Sequence, residues 1–171
     1  SGGAIAKPQQ KTPKANSGQK TDVPSKVNAL RALNGQTIGD GQCYALVSYY
    51  VNSISTGYHI SYSLGAIPTS FIKGDILRAA NIGSGYHWDS IGWKVKEPTK
   101  ANIQVGDIFN VLADVGGIWQ TTWAGHTGVI TGYDGQTVEI TDQNWASQPT
   151  NVRSYPVDQF VYGLSSLISP P

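Results

Sequence analysis

The sequence predicts an α+β fold, and three observations predict it. A single apolar run starting at Cys43 places Leu46, Val47, Tyr50, Val51 and Ile54 three, four, seven, eight and eleven residues on, which is one face of an α-helix. The second half of the chain is β-patterned, with strands expected over residues 91–95, 108–112, 126–133, 137–145 and 161–168, each bounded by Gly, Asp or Pro. Only 13% of the residues are charged, against 20 glycines, 9 tyrosines and 5 tryptophans, a composition suited to a turn-rich β or α+β protein.

At 171 residues the chain has room for one domain with a full core. Residues 1–24 are rich in Lys, Gln, Pro, Ser, Asn and Thr without apolar period and read as a solvated linker, so the domain is expected over residues 25–171. The opening Ser1-Gly2-Gly3 and the lack of methionine suggest a piece cut from a longer protein, tethered to another domain on the N-terminal side of the linker. The domain should open with a short amphipathic helix built on Val27, Ala29 and Leu30, started by Pro24-Ser25 and ended by Asn34-Gly35.

Next comes Gly39-Asp40-Gly41-Gln42-Cys43, a turn feeding the second helix, with Asp40 as its expected N-cap. Cys43 then sits in the first turn, where free backbone N–H groups and the helix dipole favour the thiolate, the nucleophilic form. Taken alone, a lone cysteine is more often a small buried hydrophobe than a catalyst. After this helix the chain is glycine- and aromatic-rich, with one further short helix expected over residues 71–80.

The clearest β signal is Gly125-His126-Thr127-Gly128-Val129-Ile130, followed by Tyr133-Asp134-Gly135 and a second strand from Thr137, a hairpin pattern. A two-residue loop pairs Tyr133 with Gln136 and leaves His126 opposite Gln143. A three-residue loop pairs Gly132 with Gln136 and puts His126 opposite Asp142. Alternation groups Val138, Ile140, Asp142 and Asn144 on one face, with Glu139, Thr141 and Gln143 on the reverse. A face that begins apolar and ends polar needs partners, because an unpaired buried polar group costs about 1–3 kcal/mol. His126 supplies one. A thiol at a helix start, an imidazole on a strand and a carboxylate or amide to orient it make the nucleophile, base and orienter of a cysteine hydrolase.

Other classes find little support. A net charge of +1 offers nothing to nucleic acid, a single cysteine rules out an internal disulfide or a cysteine-rich metal site, and no stretch has the length to span a membrane. His59 and His87 match no zinc spacing with His126, so neither metal nor cofactor is expected. Trp88, Trp93 and Trp119 read as core. Trp123 and Trp145, near the ends of the catalytic strands, are expected to wall a substrate groove, and residues 115–120 to form a flexible loop rimming it.

These motifs together resemble the CHAP domain, the cysteine- and histidine-dependent amidohydrolase/peptidase module of bacterial and phage peptidoglycan hydrolases. The resemblance rests on Gly41-Gln42-Cys43-Tyr44-Ala45, on Gly125-His126-Thr127-Gly128-Val129-Ile130 and on Ile140-Thr141-Asp142-Gln143-Asn144-Trp145. Asn81-Ile82-Gly83-Ser84 with Trp88 and Gly92-Trp93 also looks like the middle of such lysins from streptococcal phages. The resemblance implies a papain-like fold, the cysteine helix packed on an antiparallel sheet that carries the histidine. It implies Cys43 as nucleophile, His126 as base and later acid, and Asp142, where many members have glutamate, or Asn144 as the group orienting the ring. Gln42, with the Cys43 N–H, becomes a candidate oxyanion donor. The implied partner is bacterial peptidoglycan, cut at the N-acetylmuramoyl-L-alanine amide or within its peptides, and the implied location is extracellular or at the cell wall. The competing expectation is an inactive wall-binding module of the same fold.

Overall fold

Asp22 opens the first helix. In the computed structural model, which describes residues 20–171, its carboxylate accepts from the Ser25 N–H at 3.3 Å, and Pro24 lies in the first turn, where no intrahelical N–H is needed. Helix α1 (Val23–Arg31) therefore begins two residues before the expected boundary at Ser25, inside the stretch read as linker. The rest of that stretch, residues 1–19, lies outside the described residues. Val27 and Leu30 are buried as expected, but Ala29 faces solvent.

Helix α2 (Cys43–Ile54) buries Leu46, Val47, Tyr50, Val51 and Ile54, the face its period marks out. Its N-cap is Gln42, not Asp40. The Asp40 carboxylate instead accepts from the Gln42 N–H at 3.1 Å, closing the turn one step earlier. The helix expected over residues 71–80 does not form. Two 3₁₀ turns, Thr69–Phe71 and Ala79–Asn81, flank irregular chain whose polar groups are satisfied otherwise. Asp75 accepts from the Leu77 N–H and the Asn81 side chain, both at 2.8 Å, and the N–H groups of Lys73 and Gly74 donate to the Gly85 carbonyl. A single helical turn, α3 (Ile82–Gly85), follows.

Six strands make one antiparallel sheet: β1 (Lys94–Lys96), β2 (Ile108–Val111), β3 (His126–Tyr133), β4 (Thr137–Asp142), β5 (Asn151–Pro156) and β6 (Leu164–Ser169), in the order β1-β6-β2-β3-β4-β5. β1 is displaced from residues 91–95 because a 3₁₀ turn, Trp88–Ile91, ends at Gly92 with φ 82°. β5 and the short helix α4 (Val157–Val161) have no counterpart in the sequence expectation; β5 is an edge strand without a buried alternating face. The sheet is covered on both sides. Leu46 and Tyr50 of α2 pack on Ile108, Val129 and Ile168, while Phe109, Ile130, Ile140 and Phe160 gather with Trp119 on the other face. Each such side chain contributes about 1.5–3 kcal/mol by leaving water.

The β3–β4 hairpin follows neither expected register. Tyr133 pairs with Val138 and Gly132 with Glu139, and a bulge between Ile130 and Gly132 then shifts the ladder so that Ile130 meets Ile140 and Gly128 meets Asp142. The Asp134 carboxylate fixes the turn by accepting from the N–H groups of Gln136 (2.9 Å) and Thr137 (2.7 Å), with Gly135 at φ 94°. Compared with the three-residue loop, the ladder beyond the bulge is displaced by two residues. A slip of two preserves the face, so His126 and Asp142 still lie on the same side, as diagonal neighbours.

Candidate active site

The nucleophile candidate is held by two elements. Cys43 occupies the first helical position of α2, half-buried, where its own N–H is among the first-turn donors that a helix leaves without an intrahelical acceptor. The loop before it is tied to the sheet by Gln143. That buried side chain accepts from the Ile38 N–H at 2.8 Å and donates to the carbonyls of Ile38 (3.0 Å) and Gln42 (2.8 Å). Gln143 leaves β4 on the face opposite Asp142, so the two successive residues serve the two halves of the site.

His126 starts β3. Its Nε2 lies 2.6 Å from Asp142 Oδ2, and the Cys43 side chain, which lines the same cavity, is near enough to the ring to raise its pKa. With Nε2 engaged by the carboxylate, Nδ1 is the nitrogen left for sulfur. Burial pushes the ring toward its neutral form, but hydrogen bonds to Asp142 and Cys43 and the charges of both outweigh it and raise the pKa to about 9. The ring is thus an imidazolium at neutral pH.

Two glycines make room for this contact. A Cβ on Gly128, directly opposite Asp142, would stand 2.8 Å from the Asp142 Cβ and 2.6 Å from the Phe109 ring. A Cβ on Gly125 would meet the Val111 carbonyl at 2.2 Å, at a φ of 75° that also suits glycine. The spacing Gly125-His126-Thr127-Gly128 therefore has a steric origin.

Asp142 has a second partner. Arg153 of β5 donates from both terminal nitrogens to its carboxylate, at 2.5 and 2.6 Å, a bidentate fork. The Arg153 Nε donates to Tyr155 Oη at 2.7 Å, and its guanidinium lies 4.6 Å from the centre of the Trp145 ring. Arg153 was not singled out from the sequence, because the strand that carries it was not.

Asn144 does not touch the ring. It turns out of the strand in the left-handed region, φ 67°, and donates from Nδ2 to Gln42 Oε1 at 3.1 Å. The expected strand to residue 145 thus stops at Asp142, and of the two candidates for orienting His126 the carboxylate is the one in contact. Glu139 lies on the other face, bonded to Arg31 and Thr131.

Gln42, Cys43, Trp123, His126, Asn144 and Trp145 all line one open cavity of about 590 Å³. Trp123 is exposed with the Arg78 guanidinium 5.7 Å above its ring, whereas Trp145 is half-buried and donates to the Trp119 carbonyl at 3.2 Å. The loop over residues 115–120 is not a free rim. Trp119 is fully buried against Phe109 and Phe160, its ring centre 6.2 Å from that of His126, and anchors the loop under the site. His59 bonds to Ser48 and lies away from this cavity, as does His87; among the described residues no three His, Cys, Asp or Glu side chains gather as a metal requires.

A helix bearing a cysteine at its start, packed on an antiparallel sheet whose strands bring a histidine and an aspartate to that sulfur, defines a papain-like α+β domain with a cysteine–histidine site. Residues 33–144 match the CHAP domain family, and the chain belongs to it. It is 33% identical over 153 residues to the large catalytic subunit of endolysin PlyC of Streptococcus phage C1, a match covering 86% of this chain and 32% of that subunit. The crystal structure of PlyC superposes with a TM-score of 0.78 at 31% identity, over 86% of this chain and 35% of that one. Ly7917, crystallised with the hydrolyzing product of MDP, superposes with a TM-score of 0.72 at 30% identity, over 88% of this chain and 63% of that one. The chain thus spans about a third of the length of the curated relative it matches. Among the described residues no helix is long and apolar enough to cross a membrane.

Proposed function

We propose that this domain is a peptidoglycan hydrolase that cleaves amide bonds in the peptide part of the bacterial wall with Cys43 as nucleophile. The observation that carries the reading is the His126 ring lodged between the Cys43 sulfur and the Asp142 carboxylate at the wall of an open cavity. An inactive binding module would have no use for a buried imidazolium beside a thiol. The relatives support the substrate class, being a phage endolysin subunit and a protein crystallised with a hydrolysis product of MDP, a muramyl peptide. That product favours a bond at or next to the muramic acid over one in the cross-bridge. The setting of such an activity is the cell wall, and the catalytic unit runs from α1 to β6.

The chemistry follows from the geometry. The Cys43 sulfur, its proton passed to the His126 ring, attacks the amide carbonyl. The oxyanion is received by the Cys43 N–H and by the Gln42 side-chain NH₂, the latter directed because Asn144 already occupies the Gln42 carbonyl oxygen. His126 then gives its proton to the departing amine, breaking the C–N bond and leaving a thioester. Water attacks that thioester with the ring as base, releasing the acid and restoring the pair. Asp142 holds the ring throughout and faces away from substrate.

The test is digestion of purified Gram-positive peptidoglycan by the domain and by Cys43→Ala, read by turbidity and by mass spectrometry of the products. Clearance by the wild type alone, with new muramic acid carboxyl or peptide termini, is expected. Equal clearance by both proteins, or by neither, overturns the reading.

A further inference from the structure

We infer that Arg153 is a positioning residue of this site: its guanidinium fork locks the Asp142 carboxylate in the orientation that makes the His126–Cys43 pair, and does so from outside the substrate cavity. The inference rests on reading Cys43 and His126 as the reacting pair.

Asp142 is fully buried at the last residue of β4, paired with Gly128 of β3 on one side and with Asn151 of β5 on the other, and the chain leaves the strand just after it. Three cationic or acidic groups face it or the ring: His126 from β3, Arg153 from β5 and Cys43 from α2. Oδ2 serves His126 and one Arg153 nitrogen together, while Oδ1 takes the other nitrogen, so both oxygens are fixed in the plane of the fork. A single contact to the ring would leave the carboxylate free to rotate about its Cβ–Cγ bond.

The fork is itself held. Tyr155 Oη accepts from Arg153 Nε at 2.7 Å, and the Trp145 ring covers the guanidinium at 4.6 Å. Arg153 does not line the cavity, whereas Trp145 does. Trp145 therefore separates substrate from the arginine, and Arg153 acts through Asp142 alone. This differs from Arg31, whose bond to Glu139 lies on the opposite face of the sheet and reaches no reacting atom.

The pH dependence of Cys43 alkylation by iodoacetamide tests this without any wall substrate. Wild type should keep an alkylation rate at about pH 6 that His126→Ala lacks, because the ring sits between the sulfur and the Asp142 carboxylate. In Arg153→Ala that low-pH reactivity should fall about 10- to 100-fold, in the range found when partners behind a site's ligands are removed, and converge with wild type at alkaline pH. Free guanidinium ion at millimolar concentration should refill the gap and restore it, while leaving Asp142→Asn unrestored. A wild-type profile in Arg153→Ala, or a folded variant that guanidinium does not rescue, overturns the inference. Should Arg153→Ala not fold, Arg153→Lys keeps the stem and charge without the fork; loss of low-pH reactivity at an unchanged melting temperature upholds the inference, and a wild-type profile overturns it. If alkylation behaves as expected but wild type clears no wall, it is the proposed function that fails and not the role of Arg153.

Discussion

Strand β4 carries two carboxylates on opposite faces, Asp142 and Glu139, and each is bonded to an arginine. Their local chemistry is nearly the same, yet only one belongs to the site. Glu139 accepts from Arg31 at 2.7 Å and from the Thr131 hydroxyl at 2.6 Å, with 28% of its side chain exposed. Asp142 accepts from Arg153 at 2.5 Å and faces the His126 ring at 2.6 Å, with no exposure at all. A carboxylate–arginine pair is therefore no mark of catalysis. What separates the two is burial and the third partner: a hydroxyl leaves Glu139 a surface brace, while an imidazole beside a thiol puts Asp142 among the groups proposed to react.

The sharpest way to break this comparison is Asp142→Asn. The amide keeps the volume but removes the charge opposite both His126 and Arg153, leaving a buried guanidinium without its counter-ion. Wall cleavage should fall about 10²- to 10⁴-fold, by analogy with loss of the orienting aspartate in a serine triad. A rate within tenfold of wild type would mean that Asn144 or solvent can hold the ring equally well.

The pH profile separates the faces further. His126, with its folded pKa raised to about 9 and an ordinary value near 6.5 when unfolded, contributes stability that is complete below about pH 6.5 and lost as pH rises through about 9. Activity should show an alkaline limb near the same value, since the thiolate–imidazolium pair loses its proton there. Asp142→Asn should move that limb toward lower pH, because one of the two groups raising the ring's pKa is gone. Glu139→Gln should leave it in place. Rates of wall clearance between about pH 6 and 10 check both.

Gly128→Ala probes the space rather than the charge. The added methyl would press on the Asp142 Cβ and the Phe109 ring, both well inside contact distance. An overpacked site of this kind costs about 1–3 kcal/mol. Thermal unfolding should show that loss, and clearance should fall with it as the carboxylate is pushed off the ring. Gly135→Ala, with open space around it but φ 94°, should cost stability alone.

Most of this arrangement was legible in the sequence because period and parity are robust to small errors of register. Cys43 at the start of a helix, His126 at the start of a strand, and the division of β4 into an Asp142 face and a Glu139 face all follow from spacings of 3.6 and 2. The hairpin register does not, since one bulge beside Thr131 and an aspartate-closed turn displaced it, but the shift was even and the faces survived. Asn144 falls outside the strand because it takes a left-handed φ, which asparagine tolerates better than most residues, a signal weaker than the β pattern that precedes it. Arg153 is unmarked in the sequence, and Gln143 is marked only by its face and register, for a different reason. Both act through contacts far apart in sequence, Arg153 from an edge strand of weak alternation and Gln143 by bonds to Ile38 and Gln42. Trp119 is core, as its residue type suggests, and the loop over residues 115–120, expected to be flexible, is anchored by it because a long-range aromatic cluster outweighs the glycines before it.

The smallest expected effect is the most informative control. Glu139→Gln keeps an acceptor for Arg31 and for the Thr131 hydroxyl, and Arg31 is 37% exposed, so solvent screens most of what the charge contributes. Such pairs are worth about 0–1 kcal/mol, and a shift of about 1–3 °C in melting temperature is expected for a domain of this size. Clearance should stay within about twofold of wild type, because Glu139 touches neither ring, sulfur nor cavity. Were the glutamine to cost as much activity as Asp142→Asn, the two faces of β4 would be coupled through the strand itself. The site would then extend across the sheet to Arg31 and α1, and burial beside the ring would no longer be what sets Asp142 apart.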